Sequence, residues 1–163
     1  MAIVRITDQY FWNAIFGLFF LALIVMGMII LSTESYRPLD TLTLTDFALM
    51  TLASWRLIRL FTYDSITKMI REQWFDVAKG EEGLELRKPK TGPRRTLAEL
   101  FSCPWCVGVW AAATVSFFYL LTPLAFYPVL FLAIAAVATY LQLLSNLTGH
   151  RAEQLKNQNE RGF

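Results

Sequence analysis

Between Asp8 and Glu34 the chain carries no charged residue, and from about Tyr10 to Leu31 its side chains are mostly aliphatic or aromatic. A helix needs about 20 apolar residues to cross the roughly 30 Å hydrocarbon layer of a bilayer. This run meets that length, and it constrains the fold more than any other feature. It is too long for a cleaved signal peptide, and Ser32-Thr33-Glu34-Ser35 lacks the small-residue cleavage pattern, so we expect a retained helix. At 163 residues the chain has a one-domain length. Its 17% of charged residues falls below the roughly one quarter usual in soluble domains.

Three further apolar blocks follow, at about Thr45–Thr62, Pro104–Leu121 and Pro128–Leu147. The last two lack charge throughout, and the short connection Thr122-Pro-Leu-Ala-Phe-Tyr127 predicts that they form an antiparallel hairpin. Pro128 suits the first turn of a helix, where its missing N–H costs nothing. The second block is expected to be capped by Thr45 or Asp46 and carries Arg56 and Arg59 near its far end. An arginine at the centre of a bilayer costs about 2.5–3.5 kcal/mol. Within about two turns of a helix end it can extend its guanidinium into the headgroups. Two readings fit: a short span with a cationic end, or a helix buried among the others.

Basic residues decide the orientation expected. With four spans, one side holds Arg5, the eight Lys and Arg from Lys68 to Arg95, and Arg151, Lys156 and Arg161, whereas the other holds only Arg37. The expectation is an all-α, four-helix transmembrane bundle in a bacterial inner membrane. Both termini, the connection 63–102 and the tail 148–163 would be cytoplasmic. Ile66, Met69, Ile70, Trp74 and Val77 recur at helical spacing, which predicts an interfacial helix over Asp64–Val77. From Lys79 to Arg95 the chain turns from acidic to basic with Gly and Pro interspersed, which predicts a mobile loop. Thr96 would begin a short helical approach to the third span, and the tail after His150 would fray.

A net charge of +2 gives no argument for nucleic acid. His150 is the single histidine, no acidic motif accompanies it, and no cofactor is predicted. Chemistry is concentrated in Ser102-Cys-Pro-Trp-Cys-Val-Gly-Val-Trp110. Cys103 falls where a helix begins and Cys106 about one turn along, so both sulfurs lie near unpaired backbone N–H groups and the positive end of the helix dipole. Such a dithiol can be structural, can do redox or nucleophilic chemistry, or can contribute to a zinc site shared between two chains. Gly108, Ala112 and Ser116 form a small-residue stripe suited to close helix packing, with Trp110 beside it and Ala133, Ala136 and Tyr140 as a facing surface.

Arg56 and Arg59 share one helix face and, with Asp64, should lie at the depth of Cys103 and Cys106. They can bind an anion such as a lipid phosphate, or pair with Asp64 and helix-end carbonyls. The partners expected are the lipid bilayer, an anionic phospholipid, and a second copy or another membrane protein.

Ala53-Ser-Trp-Arg-Leu-Ile-Arg-Leu60, Asp64-Ser-Ile66, Arg71 and Cys103-Pro-Trp-Cys-Val-Gly-Val-Trp110 together carry a resemblance. The chain resembles the bacterial and phage membrane proteins of domain-of-unknown-function family 1360, which include a sporulation protein of bacilli. The resemblance covers about Phe47–Leu147, with the first span and the tail outside it. It implies a membrane setting and brings no assigned reaction.

Overall fold

The computed structural model describes the backbone of residues 2–80 and 83–160 and the side chains of 8–77 and 86–158. Among these residues six α-helices and one β-hairpin follow in the order α1 (Ala2–Glu34), α2 (Leu44–Thr62), α3 (Lys68–Glu72), β1 (Asp76–Gly80), β2 (Gly83–Arg87), α4 (Pro93–Ser102), α5 (Pro104–Leu121) and α6 (Phe126–Glu160). Among the described residues three segments are long and apolar enough to cross a membrane: Asp8–Glu34 in α1, Pro104–Leu121 in α5, and Pro123–Gln158, most of it α6. α2 is not among them, because Asp46, Arg56 and Arg59 interrupt its apolar run.

Contacts at the two ends of the long helices define their directions. At one end Tyr36 and Arg37, just beyond α1, donate backbone N–H groups to the Leu120 carbonyl at the end of α5. At the other, Gln9 and Asn13 near the start of α1 meet Thr96 of α4, immediately before α5. α1 and α5 therefore run in the same direction. α2 runs against them, with Asp46 at its start beside Tyr119 and Phe61 at its end beside Phe101.

α2 lies between α5 and α6 and packs on both far more than they pack on each other. The predicted hairpin of the last two helices is thus splayed by α2. Met50 and Ala53 of α2, Val115 and Tyr119 of α5 and Val129 of α6 form the core, with Leu49, Leu57, Phe126 and Leu132 around it. Ala111, Ala133 and Ala136 are buried as well. Small residues at the seams let helices approach closely, which matters where lipid offers no hydrophobic drive for association. α1 is peripheral: no residue from Tyr10 to Glu34 is buried. It leans Phe20 on Trp110 (centroids 4.6 Å apart), and between it and α5 lies a mainly apolar groove of about 430 Å³ lined by Leu23, Ile24, Gly27 and Phe117.

Several boundaries differ from expectation, each for a local reason. α2 is capped by Thr43: its hydroxyl accepts from the Asp46 N–H, and the Asp46 carboxylate accepts from the Thr43 N–H at 2.9 Å. This capping box satisfies two helix-end donors reciprocally. The predicted helix over Asp64–Val77 stops at Glu72, after a single 3₁₀ turn at Ser65–Thr67 and the five residues of α3. Trp74 then lies in a turn and Val77 in β1. The predicted loop after Lys79 contains an antiparallel hairpin, paired from Asp76↔Arg87 to Gly80↔Gly83, so the chain is not purely α-helical. Gly83-Leu-Glu-Leu-Arg87 carries the strand period of two and no helical spacing. Glu81 and Glu82, within that predicted loop, lie outside the described residues. α6 does not end near Leu147 but continues to Glu160, and its 35 residues span about 52 Å at 1.5 Å each. The last residues of the predicted tail, 161–163, lie outside the described residues.

Gly92 has φ +97°, a conformation that a Cβ would strain, and it turns the chain into Pro93 at the head of α4.

Candidate functional site

The end of α2 is closed by the segment that follows it. Tyr63 and Asp64 N–H groups donate to the Arg59 carbonyl, at 2.8 and 3.1 Å. The Thr67 hydroxyl donates to the Leu60 carbonyl, and Arg71 Nη1 donates to the Thr62 carbonyl at 2.5 Å. Carbonyls that a helix terminus leaves orphaned thus gain partners from residues 63–71. Arg71, which contributes to the family resemblance, acts here as a cap.

The two arginines of α2 have different surroundings. Arg56 Nη1 meets Asp64 Oδ2 at 2.6 Å, and the two side chains are only 19% and 25% exposed. Burial shields that pair from solvent screening, unlike an exposed surface pair. Arg59 has no carboxylate partner among the described residues. Its guanidinium lies 5.9 Å from the Trp55 ring centre and 5.5 Å from that of Tyr63, and its Nε is buried without a hydrogen-bond partner. Aromatic faces attract a cation but neutralise no charge.

Pro104 creates the second feature. It cannot continue α4, and it disfavours helical backbone at the preceding residue. Cys103 accordingly sits extended at φ −111°, ψ 105°, ending α4 and capping α5. Its sulfur accepts from the Cys106 N–H at 3.3 Å and from the Cys106 thiol at 2.7 Å. The Cys106 thiol first and the Cys106 N–H second, with smaller contributions from the Trp105 N–H and the charge on Lys88, hold the Cys103 thiol below its ordinary pKa. Both cysteines are free; Cys103 is half-buried, and Cys106 and Trp105 are exposed. No group of three His, Cys, Asp or Glu side chains that could hold a metal occurs among the described residues.

Two contacts bring these features to one end of the bundle. Phe61, near the end of α2, meets Phe101 of α4 at a centroid distance of 6.2 Å. A Cβ on Gly108 would approach Ile58 Cδ1 to 3.3 Å, so the glycine lets α5 sit close on α2. The rest of the small-residue stripe lies elsewhere. Ala112 is exposed, and Ser116 lines the groove towards α1, as does Trp110. The buried residues of α5 are Val107, Ala111, Val115, Tyr119 and Leu120. Tyr140 faces Trp55 of α2, with ring centres 6.3 Å apart.

A polar cluster at the opposite end went unread in the sequence. Asp46 Oδ1 accepts from the Tyr119 hydroxyl at 2.5 Å and lies 3.4 Å from Arg37 Nη1, whose guanidinium sits 4.3 Å over the Tyr119 ring. The available signal was Asp46 itself, an acid inside an apolar block. A third cluster joins α1 to α4: Gln9 Nε2 donates to Thr96 Oγ1 at 2.9 Å and to Asn13 Oδ1 at 3.0 Å.

Long apolar helices with outward Phe, Leu, Ile and Met side chains define the class of the molecule, a helical membrane protein. The chain belongs to the family of proteins of unknown function DUF1360, whose model matches residues 49–145. It is 31% identical over 105 residues to UPF0713 protein YngL of Bacillus subtilis (strain 168), covering 64% of this chain and 81% of that one. It is also 33% identical over 102 residues to sporulation protein YjcA of the same organism, covering 59% of this chain and 86% of the relative. No solved structure matches. Arg56, Arg59, Asp64, Cys103 and Cys106 lie within the family region; α1 and Asp46 precede it.

Proposed function

We propose that the chain is a four-span protein of the bacterial cytoplasmic membrane that acts by lipid and protein contacts rather than by catalysis. Its working face is the cytoplasmic end of α2 and α5, where Arg59 binds the phosphate of an anionic phospholipid. α1, α2 and α5 alternate in direction, and α6, with Phe126 at its start beside Arg37 and Tyr140 further along beside Trp55, runs against α5, which supports four spans. Burial between α5 and α6 gives α2 the surroundings a charged helix needs. Lys and Arg crowd the end that holds the α2–α3 turn and α4, whereas Arg37 stands at the other, which supports cytoplasmic termini.

One observation carries the lipid reading. Arg37 and Arg56 are paired with carboxylates and Arg71 with carbonyls, but Arg59 retains a half-buried charge without an anion. A phosphate at headgroup depth supplies that anion, and the flat guanidinium fork suits its geometry.

The test is retention of phospholipid by the purified chain, read by native mass spectrometry after exchange into detergent. Wild type should keep phosphatidylglycerol, and Arg59→Gln should lose it while keeping its helical circular dichroism. Equal retention by both proteins would sink the reading. Reporter fusions at residue 40 and at the C terminus should fall on opposite sides of the membrane; same-side reporters would rule out the four-span arrangement.

A further inference from the structure

We propose that Cys103 and Cys106 form a membrane-anchored dithiol that exchanges with the disulfide of a soluble peptide or protein. This goes beyond the lipid reading and does not depend on it.

The argument begins with the local fold. Pro104 forces Cys103 out of the helix and into the capping position, so its sulfur, rather than a hydroxyl or carboxylate, receives the Cys106 N–H in the first turn of α5. An ordinary cap is an oxygen, and a sulfur there is a weak acceptor. As a thiolate it is a much stronger one, and the helix dipole favours the charge. Cys106 is placed one turn on, with its thiol already directed at Cys103 at 2.7 Å. A disulfide between them needs the two sulfurs to close to about 2.05 Å. Exposed Trp105, 86% accessible, stands between the two cysteines as an apolar contact for whatever approaches.

The step balances as follows. The Cys103 thiolate attacks one sulfur of the incoming disulfide; that S–S bond breaks, and the departing sulfur leaves as a thiolate that takes up a proton. Cys106 loses its proton and attacks the Cys103 sulfur of the mixed disulfide. The second sulfur of the substrate leaves and is protonated. The substrate gains two electrons and two protons, and Cys103–Cys106 becomes a disulfide. Run in reverse, the same steps let a soluble dithiol reduce it.

The full-length chain in detergent, incubated with glutathione disulfide, provides the test. Wild type should end as an internal Cys103–Cys106 disulfide with both glutathione molecules released as thiol. Cys106→Ser should stop at a mixed disulfide on Cys103, several-fold faster than Cys103→Ser reacts at Cys106. Serine retains a capping oxygen at position 103, so circular dichroism should show both variants folded. Alkylation of Cys103 in the Cys106→Ser protein should also persist to lower pH than that of a free cysteine peptide. Three results would overturn the proposal. Wild type could stay glutathionylated or unreacted, or Cys103→Ser could react as fast as Cys106→Ser. Alternatively, reduced protein could take up one zinc per two chains and thereby block the reaction, which would assign the cysteines to a shared metal site.

Discussion

α1 and α2 are nearly opposite helices. α1 is long and free of charge over its apolar stretch, yet it is peripheral, with its Phe, Leu, Ile and Met side chains turned outward. α2 is 19 residues long and carries three charges, yet it is the helix on which α5 and α6 pack. In lipid, apolar side chains gain little by leaving one hydrocarbon environment for another, so hydrophobicity does not predict centrality. Close-approach residues and polar groups that need partners do. α2 supplies both: Ala53 is completely buried, and Asp46, Arg56 and Arg59 require an interior or a membrane edge.

Substitutions along the two helices can break that contrast. The largest effect is expected from Asp46→Ala, which removes the reciprocal partner of Thr43 and leaves Arg37 and Tyr119 unsatisfied. Losing hydrogen bonds to a charged group predicts a loss of about 3 kcal/mol, read as a lowered Tm in detergent. A Tm unchanged from wild type would remove this cluster from the account of stability. Next comes Ala53→Leu, which overpacks a site with no exposure and should cost about 1–3 kcal/mol, with partial loss of the folded form on size exclusion. Gln9→Leu should cost about 1 kcal/mol, because it cuts the polar tie between α1 and α4. Cross-linking between cysteines introduced in α1 and α4 should fall while the α2 core stays intact. The smallest effect should come from Leu18→Ala on the open face of α1, where Leu18 is 67% exposed. Its Tm should stay within about 0.5 kcal/mol equivalent, as expected for a surface change. A loss as large as that of Ala53→Leu would mean that α1 is packed against something, such as a second copy.

Much of the candidate site is readable along the chain because its causes are local. Pro104 after Cys103 places a helix start, and the spacing of Cys106 puts the second sulfur one turn away. Arg56 and Arg59 share a helix end for the same reason. The different states of those two arginines are not local. Asp64 lies beyond α2, and only the turn at 63–67 decides that it meets Arg56 and not Arg59. The Arg37–Asp46–Tyr119 cluster was hidden because Tyr119 lies 73 residues from Asp46 in an otherwise plain apolar helix. The short hairpin was missed because its strand period is brief and lies among charges and glycines.

The amino-acid order by itself determined that long apolar helices exist, where prolines and caps break the chain, and that basic residues crowd certain connections. Each depends on neighbours within a few residues, through backbone sterics, hydrogen bonding and hydrophobic length. Only the tertiary structure decided that the charged helix is central and the most apolar one peripheral. It also decided which face of α5 is buried, and that one arginine is paired while its neighbour is left open. Those outcomes depend on which surfaces fit closely and which polar groups find partners across long separations, and no local pattern encodes that choice.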